Sequence, residues 1–419
     1  MISNRSFRFL VIGQFISAIG DQFYLIAMPW LALELTGSGV VAGTVLAVAS
    51  LPRAVFMLIG GAVTDRYSAR ALLIGSNGLQ GVLMALLALA VLSSYTQLWF
   101  LYSMGFLTGL VDAFGLPAFN TMLPQVVAAD QLEGGNILLQ GANMASGAIG
   151  PALAAALIAA TAGAGPEASL TGIGTAFLVD AATYMIGISF FWAMWPQPTP
   201  ERESQIPESL LDSLRTLREI ILQDAQLRTL LGLMVVLGLF LTGTIRVGFP
   251  LLAERQYGGG VQAFGNMTSS FGLGLLLGMA ALRWLPSLPP QRSGLAILAL
   301  FAVLPAGLMF LGLTHSLPAS LLMILMMGAA LGYVMIYLLS WLQRRTPVDL
   351  LGRMMAVTLF ATIGLSPLSQ LLMGFALDRN LRNTFIGVGM LVLLLLLFVA
   401  TDQRMRSLEP PRDSSAQQP

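Results

Sequence analysis

The chain has 419 residues, 56% of them hydrophobic and only 10% charged, with a net charge of +1. Soluble domains carry about 25% charged residues, so a soluble globular protein is excluded, and a nearly neutral balance leaves no basic surface for nucleic acid. Cysteine is absent, which removes disulfides and thiolate metal sites. All 21 basic residues are arginine; arginine stays protonated, so proton traffic near neutral pH falls mainly on carboxylates.

Runs long enough for helical membrane spans, which need about 20 apolar residues, occur at 9–35, 39–63, 71–93, 97–120, 135–161 and 171–195. Barrel strands would alternate in segments of about 10 residues, whereas these runs are continuous, so helices are expected. The first run follows Arg5 and Arg8 as a secretion leader would. It continues past Pro29, however, and holds Asp21 and Gln22 with no small-residue cleavage site, so a retained first span is expected. A polar stretch then opens with PQPTPERESQIPES. It continues into a segment in which Leu210, Leu214, Leu217 and Ile221 share a helical face, the pattern of an amphipathic helix at the membrane interface. Six more runs follow at 229–252, 262–285, 293–313, 317–342, 353–377 and 383–401, with His315 alone in a short loop.

This pattern predicts an all-α membrane protein of twelve transmembrane helices in two six-helix bundles related by pseudo-two-fold symmetry. The expected division is an N-terminal bundle over 1–195, a cytoplasmic linker over 196–226, a C-terminal bundle over 227–402 and a disordered polar tail over 403–419. A shift of 216 residues lays Pro151 over Pro367, each in the fifth span of its half. Parallel repeats of this kind place a substrate site between the halves near mid-membrane. With the N-terminus inside, sixteen arginines fall on cytoplasmic segments, three (Arg255, Arg379 and Arg382) on the opposite loops, and two, Arg53 and Arg246, within spans. That bias predicts both termini in the cytoplasm.

Charges inside spans are costly and face a cavity or a partner. Asp21 and Arg53 each lie sixteen residues from the turn at Gly37. Both are therefore about 24 Å from it along their helices, at equal depth. An antiparallel hairpin brings them together if their faces agree, either as a protonatable coupling carboxylate with its tuning cation or as a static ion pair. Asp112 lies near mid-depth of span four, Asp180 nearer the outer face of span six, and Arg246 in the outer third of span seven. Each is a candidate for the central cavity or for a structural role between helices. The second half presents a more apolar set in span ten, including Met326, Tyr333 and Tyr337, which together with Gln22 are candidates for an apolar or amphipathic substrate. Ordinary packing or lipid contact is the alternative for these residues. Phosphate-loop, zinc-protease and nucleophile-elbow motifs are missing, as are clustered metal ligands, so no catalytic residue, metal or cofactor is expected.

Residues 51–70, LPRAVFMLIGGAVTDRYSAR, join spans two and three. Gly61, Asp65, Arg66 and Arg70 resemble motif A of the major facilitator superfamily, with Ser68 in place of its second glycine. The resemblance implies a conformational latch that grips a neighbouring cytoplasmic helix end. Gly147, Gly150 and Pro151 are similar to the exporter-associated motif of span five, with Ala154 and Ala155 where glycines trail. Span four, YSMGFLTGLVDAFG, has Asp112 but not the arginine of many proton-coupled exporters. The phrases IGDQFYLIAMPWLALELTGS and LLGRMMAVTLFATIGLSPLSQLLMG look closest to the branch holding macrolide-efflux and siderophore exporters such as those for enterobactin.

The resemblance implies a secondary transporter of the inner membrane, not an enzyme. It is expected to work as a monomer by alternating access, exporting a drug-like or siderophore-like compound as a proton antiporter. A proton-coupled importer of a small metabolite, and a transport-inactive receptor or scaffold on the same fold, stand as alternatives. The expected partners are a small-molecule substrate, protons and the lipid bilayer.

Overall fold

Asn4 starts the first helix by turning its side chain back onto the chain. Its Oδ1 accepts from the amides of Ser6 (2.9 Å) and Phe7 (3.3 Å), and its Nδ2 donates to the Val126 carbonyl at 2.7 Å. The helix that follows, α1 (Arg5–Thr36), ends at Gly37 in the left-handed conformation (φ 63°), whose amide donates to the Leu33 carbonyl. Glycine takes this cap without the penalty a Cβ would add. The computed structural model describes residues 4–163, 168–195, 221–222, 224–282, 290–346 and 348–402.

Beyond α1 the chain forms α2 (Gly39–Arg66), α3 (Ala69–Leu92), α4 (Leu98–Val126), α5 (Leu132–Thr161) and α6 (Ala168–Trp192). The second half forms α7 (Ala225–Arg255), α8 (Gly260–Ala281), α9 (Pro290–Leu313), α10 (Leu317–Arg345), α11 (Val348–Leu359), α12 (Ser366–Arg379) and α13 (Leu381–Thr401). A π-helical turn at Phe360–Gly364 joins α11 to α12 as one eleventh span. Pro367 accounts for it: proline has no amide to donate, and its ring displaces the carbonyl four residues earlier, that of Ile363 within the turn. Among the described residues each apolar run is helical over most of its length, and no strand occurs. Among the described residues eleven helices are long and apolar enough to cross a bilayer. The exception is α8, diluted by Gln262, Asn266, Thr268, Ser269 and Ser270. Of the expected linker helix only Ile221 and Leu222 and the residues from Asp224 onward are described, and the tail after Asp402 lies outside the described residues.

The two halves pack by the same rule. In the first, α1 lies on α5 and α6, α2 on α4, and α3 on α4 and α6. In the second, α7 lies on α12 and α13, α8 on α10, and α9 on α10 and α13. Exchanging the halves maps one set onto the other. Lipid offers no hydrophobic drive between helices, so close backbone approach has to hold them. Equivalent pairs show it: a Cβ on Gly109 would stand 1.8 Å from the Ala49 carbonyl oxygen, and one on Gly278 would stand 1.9 Å from that of Ala329.

Between the halves, α2 packs on α12 and α5 on α8. A Cβ on Gly43 would meet the Gln370 carbonyl oxygen at 2.6 Å, and one on Gly272 would meet that of Gly147 at 2.3 Å. Trp30 stacks on Phe264 with ring centroids 6.4 Å apart. The Gly43–Gln370 and Trp30–Phe264 contacts lie on the side of the α1–α2 and α12–α13 turns, and Gly147–Gly272 lies near the middle of its two helices. The bundle is closed at the end away from the chain termini.

Candidate functional site

The closed end is bonded as well as packed. Asp378, near the end of α12, accepts from the Ser38 hydroxyl at 2.9 Å and from the Gly39 amide at 3.0 Å. Arg255, ending α7, pairs with Asp378 at 2.7 Å and donates to the Gly37 carbonyl at 2.6 Å. Deeper in, the Ser50 hydroxyl donates to Gln370 Oε1 at 2.7 Å, and the Ala152 amide donates to the Ser269 hydroxyl at 2.8 Å. All of these bonds join one half to the other except the Arg255–Asp378 pair, which ties α7 to α12 within the second half and so holds both groups in place against the α1–α2 turn.

Below this seal lie the intramembrane charges. Arg53 and Asp112 form an ion pair at 3.6 Å, with side chains 28% and 35% exposed. Asp112 also accepts the Gln80 amide at 2.8 Å, and Gln80 donates to the Thr108 carbonyl at 3.1 Å. Asp21 accepts from the Tyr184 hydroxyl at 2.6 Å. Its carboxyl is within electrostatic reach of Asp112 and Arg53. The pair expected between Asp21 and Arg53 is therefore replaced by two: Arg53 with Asp112, and Asp21 with Tyr184. Equal depth was the sound part of that expectation. Rotation decided the partner, because α2 lies along α4 far more than along α1.

Asp180 is completely buried, with neither carboxyl oxygen hydrogen-bonded. It sits mid-helix against α1, where a Cβ on Gly20 would come within 2.6 Å of its Oδ1. It belongs to the α1–α6 contact and not to a cavity wall, a correction to its expected place near the outer face. Arg246 is the opposite case: it is exposed, although Arg53 and Tyr24 of the other half lie within electrostatic reach. An exposed guanidinium so deep in the bundle marks a central cavity. With the far end sealed, that cavity opens toward the end bearing the termini.

The other sequence candidates separate. Gly150 packs on Gln22, whose Cγ would lie 2.5 Å from an added Cβ, and Pro151 offers its carbonyl to the Gly265 approach. The span-five motif thus seats α1 and α8. Tyr333 is buried, Tyr337 half-buried and Met326 exposed. Among the described residues no hydrogen bond joins these three to the charged cluster. Arg70 caps the end of α6, donating to the carbonyls of Phe191 (3.2 Å) and Trp192. The side chains of Gly61, Asp65 and Arg66 lie outside the described residues. No cluster of metal-ligating side chains occurs among the described residues.

Sequence reasoning missed Tyr184, Gln80 and, above all, Asp378 and Arg255. A signal for Asp378 was present. Gly374-Phe-Ala-Leu-Asp378-Arg379 repeats the spacing of Gly61-Ala-Val-Thr-Asp65-Arg66, on the helix that packs against α2.

Two helical bundles in this arrangement have known counterparts. Residues 10–367 match the sequence profile of the Major Facilitator Superfamily. The chain belongs to that superfamily. Macrolide efflux protein A of Streptococcus pyogenes is 23% identical over 266 residues, 64% of this chain and 63% of the relative, so the match spans under two thirds of the relative's length. Among solved structures, the nucleoside transporter NupG superposes with a TM-score of 0.70 at 12% identity, covering 94% of this chain and 98% of the other. A bacterial homologue of the iron transporter ferroportin, in its inward-facing state, gives 0.69 at 17% identity over 94% and 98%. At such identities the structural likeness shows the fold. This superfamily member is a multi-pass membrane protein of a transporter kind, and that kind is not enzymatic.

Proposed function

We propose that the chain is a secondary active transporter that exports a small amphipathic organic compound, drug-like or siderophore-like, in exchange for protons. The observation that carries this reading is a sealed end above a charged, accessible centre, the form an alternating-access carrier takes on one side of its cycle. Arginine placement supports cytoplasmic termini, so the open end faces the cytoplasm, where an exporter loads. The similarity to a macrolide efflux protein supports that direction. Asp21 is the coupling group in this reading, a carboxyl of α1 beside the half-exposed Arg53–Asp112 pair. The carrier acts as a monomer in the inner membrane.

Everted vesicles containing the protein test it. With the lumen acidified by respiration, addition of a transported compound discharges the proton gradient, and vesicles without the protein keep theirs. A panel of macrolides, other amphipathic drugs and siderophores that leaves the gradient intact, with the protein inserted and folded, overturns export by proton exchange.

A further inference from the structure

Arg246 is the unbalanced charge of this protein. It projects from α7 into the cavity, exposed, and no ion pair or hydrogen bond engages it among the described residues. The titratable groups within its electrostatic reach are Arg53, a second cation, and Tyr24, whose buried hydroxyl has no hydrogen-bond partner. Arg53 is itself only loosely held, since 3.6 Å to Asp112 is beyond a direct hydrogen bond and both side chains are partly exposed. Two guanidiniums from opposite halves thus lie within electrostatic reach of each other, and the carboxylate that pairs here, Asp112, is on the Arg53 side. A permanently charged group at this depth is costly unless something pairs with it, and packing here supplies nothing.

We propose that the missing partner is the substrate: Arg246, with Arg53 across the cavity, binds the oxyanion of an organic acid. A planar guanidinium presents parallel N–H donors that match a carboxylate bidentately. An acid held between α2 and α7 bridges the two halves, so its charge is neutralised where the halves must approach each other. The site rests on the transporter reading above and narrows its amphipathic compound to one that carries an acidic group.

Binding to the purified full-length chain in lipid nanodiscs tests the site without requiring transport. The probes are hydrophobic aryl-alkanoic acids and siderophore hydroxamates or catecholates, each acid paired with its methyl ester. Wild-type protein is expected to prefer acid over ester, and Arg246→Met to lose about ten- to a hundredfold in affinity for the acid, the worth of a charged hydrogen bond, with ester binding unchanged. Arg246→Lys keeps the charge and is expected to recover only part of the loss. In parallel, phenylglyoxal labelling of Arg246, read by peptide mass, should be blocked by the acid and not by the ester. Equal binding of acid and ester, or a preference for acid that survives in Arg246→Met, overturns the proposal. Acid binding through Arg246 without any discharge of a proton gradient would leave this site standing and remove the export reading. Gradient discharge by neutral or cationic compounds, with no acid preference, would do the reverse.

Discussion

Asp378 caps the start of α2: its Oδ1 accepts the Gly39 amide at 3.0 Å across the boundary between the halves. A carboxylate is favoured at that position because the first amides of a helix are unbonded and carry the positive end of its dipole. The same carboxyl holds Arg255 at 2.7 Å and Ser38 at 2.9 Å. Asp378→Ala removes the two bonds that cross to the first half, from Ser38 and Gly39, and the Arg255 pair within the second. The loss is about 1–2 kcal/mol, a roughly five- to thirtyfold change in the ratio of sealed to open forms. Because the chain contains no cysteine, a cysteine placed at Ser50 reports this directly. Its labelling from the α1–α2 side should rise in Asp378→Ala, and an unchanged rate would show that the seal does not depend on Asp378.

Packing seals the same end independently. A Cβ on Gly43 would meet the Gln370 carbonyl at 2.6 Å and the Gly374 Cα at 2.9 Å, backbone that cannot step aside. Gly43→Val should hold the halves apart there and stop cycling, with the protein still inserted, since overpacking of this kind costs about 1–3 kcal/mol. Gly141 has open space where its Cβ would be, so Gly141→Ala serves as the control with activity retained. Transport by Gly43→Val at the wild-type rate would mean that the α2–α12 approach is not part of the cycle.

These two seals were only partly legible in the sequence. Hydropathy located the twelve spans because each helix must bury about 20 residues in lipid, a constraint local to the chain. Depth was legible for the same reason, at 1.5 Å per residue from a visible turn. Rotation about a helix axis was not, because it is set by neighbours. Arg53 turned to Asp112 on α4, and Asp21 to Tyr184 on α6. Asp180 illustrates the same limit: its burial follows from the small Gly20 on another helix. Asp378 could have been noticed as a second Gly-x-x-x-Asp-Arg, but its role depends on which helix end it meets.

The placing of Asp21 bears on coupling. It sits on α1 with a single hydrogen bond, from Tyr184, while Asp112 is engaged by both Arg53 and Gln80. Asp21→Asn should therefore let substrate equilibrate across the membrane but abolish accumulation driven by a proton gradient. Asp112→Asn, by stranding Arg53, should instead impair both. Uptake into acid-loaded everted vesicles, compared with counterflow at equal pH, separates the two effects. Gradient-driven accumulation surviving intact in Asp21→Asn would remove this residue from the coupling step.

At the opposite end of the second half, Asp224 caps α7 by accepting the amides of Gln226 and Leu227, and it pairs with Arg345 at 2.5 Å. Arg345 in turn lies over the Trp341 ring, 5.0 Å from its centroid. Burial alone would raise the Asp224 carboxyl, but the Arg345 hydrogen bond and charge, with the two amides, outweigh it and hold the group below its usual range. A carboxyl depressed in the folded state stabilises the protein above the unfolded-state value of about 4, and that contribution fades as the pH falls through the lower folded value. Asp224→Asn keeps an oxygen that accepts the two amides but loses the charge that pairs with Arg345, so it should lower the Tm at pH 7 by the equivalent of up to about 1 kcal/mol for a partly exposed ion pair. Its deficit relative to wild type should narrow as the pH drops below about 4. A deficit that stays constant between pH 7 and pH 3 would show that the ionised carboxylate contributes nothing and that the loss comes from how the amide packs.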